Sequence, residues 1–215
     1  FLYKNYISSI CSIFKLLGIN INTVPVLDVL RKNTHKIISD RSYSKSTKTI
    51  NILKKICLLA LNKFKIGSVS KHIPGHGCSD VDTHKKLAIV NNSLTSLIKK
   101  DFKVFKNDKF KFSMTAHIIY KNIDPTNTAT HSKILIKNII RNRLGFKGIL
   151  ISDDISMRAL SRNLLYNAKK AINSGCNLVL YCKGNIKESS ALLSKIDDID
   201  NFTKKKTSEF YRFLR

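Results

Sequence analysis

Residues 71–84 read KHIPGHGCSDVDTH and place three histidines, two aspartates, a lysine and two glycines in fourteen positions. The stretch completes an apolar, β-branched run, IGSVSKH at 66–72, that predicts a strand. Pro74, Gly75 and Gly77 predict a loop directly after it. Lys71 and His72 therefore stand at the carboxyl end of a strand, and Asp82 and His84 on the loop that leaves it.

Outward from this segment the same order recurs. Apolar runs at 19–29 (ININTVPVLDV), 111–120 (KFSMTAHIIY), 147–154 (KGILISDD) and 176–182 (CNLVLYC) predict further strands. Helical spacing fills 46–64, 92–105, 132–146 and 157–175, and Gly145 and Gly175 fall where a left-handed cap would end two of these helices. Strands apolar on both faces, alternating with amphipathic helices, imply a parallel sheet wrapped by helices. Polar side chains gather at the carboxyl ends of the strands: Asp28, Lys71 with His72, His117, Asp153 with Asp154, and Lys183. In a βα-barrel those ends converge on one face, whereas a doubly wound open sheet gathers ligands mainly around one switch point. The fold class expected is α/β, a (β/α)8 TIM barrel. Only five strands are legible, six if part of the stretch after Gly184 contributes, so the barrel is expected to be incomplete.

A chain of 215 residues predicts one domain spanning 1–215. The formal charge of +25 raises the possibility of nucleic acid. Lysine is spread over nearly every segment together with abundant Asn and Ile, which fits a compositional background better than a footprint. Five cysteines without a C-x-x-C pair predict free thiols in a reducing compartment, and no run approaches the length of a membrane span. The opening FLYKNYISSICSIFKLLG, interrupted by Lys15, predicts an amphipathic helix rather than a signal sequence. Phe1 in place of Met suggests that a preceding segment is missing.

Asp82 and His84, two apart on an extended loop, project to the same side. A carboxylate on one imidazole nitrogen fixes the tautomer and leaves the other nitrogen free to exchange a proton. The alternative is that Asp82 caps a following helix and His84 is surface decoration. Asp153 ends an apolar strand, where a carboxylate can attack an electron-poor carbon. Its other reading is a cap for a helix beginning near Met157, a role open to Asp154 or Ser156 as well. Lys71 and His72 should alternate in direction unless a bulge intervenes. His76 and His117 are open to a core role bonded to backbone. Metal binding by His72, His76 and His84 is disfavoured because their spacing suits a helix that Pro74, Gly75 and Gly77 prevent.

Taken together, PVLDV at 25–29, DRSY at 40–43, the 71–84 stretch, MTAHIIYKNIDPTNTATHS at 114–132, LGFKGILISDDISM at 144–157 and AINSGCNLVLYC at 171–182 resemble family 3 glycoside hydrolases of the bacterial β-N-acetylhexosaminidase type. The resemblance covers about 19–185. It implies retaining hydrolysis of a terminal β-linked N-acetylglucosamine from peptidoglycan fragments, in the cytoplasm, in cell-wall recycling. Asp153 would be the nucleophile, His84 the acid and base, and Asp82 its orienting partner. Arg41, Lys71 and His72 would bind the sugar. No metal or organic cofactor, no specific nucleic acid and no membrane are implied, and a full-length protein is expected to be a monomer. The first two barrel strands of the family are not found before Phe1, and Asp40 stands where the family more often has Glu. Two other readings stay open: a truncated, inactive remnant that binds nucleic acid or glycan through its basic surface, and the same chemistry with phosphate in place of water as acceptor.

Overall fold

The computed structural model describes residues 1–106 and 109–215. Helix α1 (Leu2–Leu16) turns Ile7 and Cys11, one helical turn apart, onto Cys57, Ala60 and Leu61 of α3 (Thr47–Lys63), as the opening's spacing predicts. Between them lie β1 (Ile21–Asn22) and the single turn α2 (Lys36–Ser39). Ser46 caps α3, its hydroxyl accepting from the Thr49 amide. Then follow β2 (Gly67–Ile73), β3 (Ala88–Val90), α4 (Leu94–Lys99), β4 (Phe112–Thr115), β5 (Ile118–Tyr120) and β6 (Ile149–Asp154). Helix α5 (Leu164–Ser174), β7 (Leu178–Leu180), α6 (Ile186–Leu193) and α7 (Asn201–Leu214) complete the order.

Strands β1, β2, β4, β6 and β7 pair in that order, all parallel, into a half-barrel sheet. The parallel wound arrangement expected from the sequence is present. Closure into an eight-stranded TIM barrel is not: five strands form the sheet among the described residues. Strands β3 and β5 form a separate parallel pair. The apolar run at 111–120 therefore breaks at Ala116 and His117 and serves two sheets, which its unbroken hydrophobicity does not reveal.

One sheet flank packs on a core that includes Leu27, Ile50, Ile73, Phe102, Tyr120, Ile140 and Leu150. On another, Val69, Phe112, Met114 and Ile149 pack with Phe210 of α7, whose ring meets Phe112 edge to face. The segment at 132–146 forms a helix with π-type hydrogen bonds over Leu135–Arg143, ended near Gly145 at φ +70°, and α5 ends at Gly175 at φ +115°. Helix α5 starts at Leu164, capped by Asn163, not near Met157. The intervening residues turn instead, because Asp154 spends its carboxylate on the amide and hydroxyl of Ser156 and on the Cys182 amide.

Candidate active site

The carboxyl ends of the strands carry two pairs of carboxylate and imidazole, one buried and one exposed. Asp28 is fully buried and accepts from His72 Nδ1 at 2.7 Å, from the His72 amide at 3.2 Å and from the His76 amide at 2.6 Å. Burial alone would push its carboxyl up; the neighbouring His72 and then His76 outweigh that and hold it below the ordinary range. With Nδ1 committed to Asp28, the other nitrogen of His72 faces Asp153, 3.9 Å from Oδ2.

Asp153 stands at the carboxyl end of β6 as expected, one residue before the last, and its Oδ1 accepts from the Asp154 amide at 2.8 Å. Burial pushes this carboxyl up, but His72, His117, the Asp154 amide and Lys71 together hold it low, so it is ionised at neutral pH. Lys71 lies within Coulombic reach of Asp153, Asp28 and Arg41. Its ammonium is pushed down first by burial and then by Arg41, and held up in part by the two carboxylates. The register slips between Lys71 and Ile73, the bulge that lets consecutive side chains serve one site. Arg41 is exposed, and its Nε donates to the Ile37 carbonyl at 2.8 Å. Arg41, Lys71, His72 and Asp153 thus form one electrostatic group.

The second pair stands on the loop. Asp82 Oδ1 accepts from the His84 amide at 2.9 Å and from His84 Nδ1 at 3.0 Å, which leaves Nε2 free to exchange a proton. Burial is outweighed by those two bonds, so the Asp82 carboxyl is also held low. No helix follows for Asp82 to cap among the described residues until α4; its carbonyl closes a turn with the Lys85 and Lys86 amides. His84 is 58% exposed and lines a cavity of about 930 Å3 whose wall also carries Lys85, Asp154, Arg158, Arg162 and Lys183. Of the strand-end aspartates it is Asp154 and not Asp153 that lines this cavity, and the loop is tied to the chain beyond β6 where the Ala159 amide donates to the Thr83 carbonyl at 3.2 Å.

His117 takes the core role. Nε2 donates to the Asp154 carbonyl at 3.0 Å, and Nδ1 lies 2.7 Å from Thr130 Oγ1. Burial pushes the ring down, so it stays neutral beneath the Asp153 strand end. His76 is buried, and its ring Nε2 lies 3.3 Å from Thr83 Oγ1. No group of three or more His, Cys, Asp or Glu side chains that could hold a metal occurs among the described residues.

The loop glycines are closely packed. A Cβ on Gly77 would lie 1.9 Å from the Val29 carbonyl oxygen, and Gly75, at φ +145°, lies against Asp101. Tyr120 donates to the Gly75 carbonyl at 2.6 Å, and Thr34 to that of Gly77 at 2.5 Å. Asp101 is itself fixed by a two-pronged ion pair with Arg31. Sequence reasoning placed Asp28 at a strand end but missed its role as a hub, and it missed Thr83 and Thr130. Small hydroxyl residues in a loop carry no signal of the partners they will meet.

Residues 8–210 match the glycosyl hydrolase family 3 N terminal domain. The beta-hexosaminidase of Nitrosomonas eutropha is 36% identical over 174 residues, 78% of this chain and 49% of the relative. That of Shewanella frigidimarina is 32% identical over 185 residues, 83% of this chain and 53% of the relative. The chain spans about half the length of these curated relatives. Among solved structures, NagZ from Neisseria gonorrhoeae in complex with N-trifluoroacetyl-D-glucosamine superposes with a TM-score of 0.85 at 24% identity, over 99% of this chain and 61% of that one. A family 3 β-N-acetylglucosaminidase from Paenibacillus sp. str. FPU-7 gives 0.87 at 23% identity, over 99% and 43%. These structural likenesses establish the fold.

Proposed function

The chain belongs to the glycosyl hydrolase family 3 N-terminal domain family, and on that premise we propose that it carries the catalytic face of a retaining β-N-acetylglucosaminidase. The observation that carries this reading is the division of labour between the two pairs. Asp153 is kept ionised beside His72, as a nucleophile must be, and the Asp82–His84 pair presents a ring nitrogen to an open cavity, as a proton donor must.

In the first step an Asp153 oxygen attacks the anomeric carbon and forms an ester. The bond to the leaving oxygen breaks with its electron pair, and His84 Nε2 gives that oxygen its proton. In the second step water attacks the same carbon, His84 takes the proton, and the Asp153 carboxylate is released. Asp82 steadies the imidazolium form of His84 before the first step and after the second. Arg41, Lys71 and His72 hold the sugar hydroxyls, with His72 fixed by Asp28. Most retaining enzymes use two carboxyl groups; here an imidazole takes the second role.

The substrate proposed is a peptidoglycan fragment with a terminal β-linked N-acetylglucosamine. The cavity beside His84 supports this. Lys85, Arg158, Arg162 and Lys183 line it, while its two acids are engaged, Asp154 by Ser156 and Cys182 and Glu188 by the Tyr181 hydroxyl. Such a wall suits the carboxylates that these fragments carry. Five free cysteines fit work in the reducing cytoplasm.

The test is release of chromophore from an aryl β-N-acetylglucosaminide by the full chain. Asp153→Asn should abolish turnover. His84→Ala should slow substrates with poor leaving groups by about 100-fold or more and spare those with good ones. Equal loss with both removes His84 from the acid role, and no glycoside cleavage by a folded protein overturns the reading. Product analysis in phosphate buffer separates water from phosphate as acceptor.

A further inference from the structure

Thr83 lies between the two members of the exposed pair, yet it is 4% exposed while the His84 side chain is 58% exposed. Its carbonyl accepts from the Ala159 amide at 3.2 Å, and its hydroxyl lies 3.3 Å from His76 Nε2. At this residue the segment is therefore held from two sides, by the chain beyond the Asp153 strand and by the loop below the sugar-binding His72, and Ser79 holds Val81 nearby.

The His76 side of the grip is unusually dependent. The ring is buried and meets His72 edge to face with centroids 5.6 Å apart. Burial, followed by the neighbouring His72, pushes this ring down to about 4, so it is neutral at pH 7. The contact with Thr83 is the side-chain hydrogen bond of the ring among the described residues, and losing it would leave a buried imidazole nitrogen unpaired. The His76 amide, meanwhile, is tied to Asp28, the carboxylate that orients His72. A continuous series of contacts runs from His72 through Asp28, His76 and Thr83 to the pair formed by Asp82 and His84.

We propose that Thr83 is a positioning residue: gripped by His76 and by the Ala159 amide, it is the latch that holds the Asp82–His84 pair at the Asp153 strand end. The catalytic part of this inference rests on the assignment of His84 as acid and base; the latch itself does not.

Thr83→Val keeps the shape and removes the hydroxyl, and Thr83→Ser restores it. The exposed Lys85 and Lys86 give a direct readout, since trypsin cuts there only when the loop opens. Under native conditions Thr83→Val should be cleaved after Lys85 or Lys86 about five- to tenfold faster than the parent, and Thr83→Ser close to the parent rate. With aryl β-N-acetylglucosaminides, Thr83→Val should lose kcat for poor leaving groups by about tenfold more than for good ones, with KM little changed. Unchanged cleavage at Lys85 and Lys86 in Thr83→Val overturns the latch. Faster cleavage with equal loss on both substrate classes overturns the positioning of His84. Faster cleavage in a protein whose parent hydrolyses no glycoside supports the latch and sinks the proposed activity instead.

Discussion

Residues 71–79 and residues 80–86 are neighbours in the chain, and they are held in opposite ways. The first run is almost wholly buried: Gly75 and Gly77 press against Asp101 and Val29, Tyr120 and Thr34 hold their carbonyls, and Asp28 holds His72 and His76. The second is mostly exposed and fixed chiefly through Thr83, Ser79 and the internal bonds of Asp82. Binding a sugar ring favours groups locked before the ligand arrives, because disorder lost on binding is subtracted from affinity. Passing a proton to a departing oxygen and then to an entering water favours a group that can adjust between two positions. In the proposed function the boundary between the halves is the boundary between those tasks.

The largest test of this contrast is Gly77→Ala. With the new Cβ 1.9 Å from a backbone oxygen that cannot rotate away, the protein should lose about 4 kcal/mol or fail to fold, read by denaturant unfolding. A loss below about 1 kcal/mol would show that the first half is not clamped. Next comes Asp28→Ala, which strands a buried imidazole and two buried amides; about 3 kcal/mol of stability should go, together with sugar binding.

Acid, acting on two rings, should rival these substitutions. His76 and His131 are both held at about 4, by burial first and then by His72 and His117 respectively, against about 6.5 in the unfolded chain. Between those values the unfolded chain binds protons that the folded one refuses, so stability falls as pH drops from 6.5 toward 4. By pH 5 the loss should be about 2 kcal/mol per ring, seen as a lower Tm than at pH 7. Asp28 and Asp153, whose carboxyls are held low, contribute stability above their unfolded values and lose it in stronger acid, in the same direction. A flat Tm between pH 5 and pH 7 would contradict the buried neutral rings.

The smallest stability effect belongs to the loose half. Asp82→Ala should shift unfolding by less than about 0.5 kcal/mol while slowing poor-leaving-group substrates by about 100-fold. A stability loss as large as that of Asp28→Ala would erase the contrast between the two pairs.

Much of this was legible along the chain. The order of strands and helices, the caps at Gly145 and Gly175, the strand-end aspartate at 153 and the two-residue spacing of Asp82 and His84 depend on local preferences and short separations, which sequence encodes directly. Helix α5 starting at Leu164, the break of 111–120 between two sheets and the pairing of β3 with β5 were not legible, because each depends on which distant backbone group answers a hydrogen bond. The glycines at 75 and 77 show the same limit. A sequence says that a glycine permits unusual dihedrals, and only the packed structure says that it is needed because another chain segment lies where a side chain would be.

By itself, then, the sequence determined which residues could do chemistry and at which strand ends they stand. Tertiary structure alone decided that Asp28, distant in the chain, would bind His72 and His76, that His117 would support Asp154, and that Thr83 would be a buried fixed point of a mostly exposed loop. The physical reason is that a buried polar group must find its partner among whatever the fold brings within about 3 Å, and that choice is made by packing and not by neighbours in sequence.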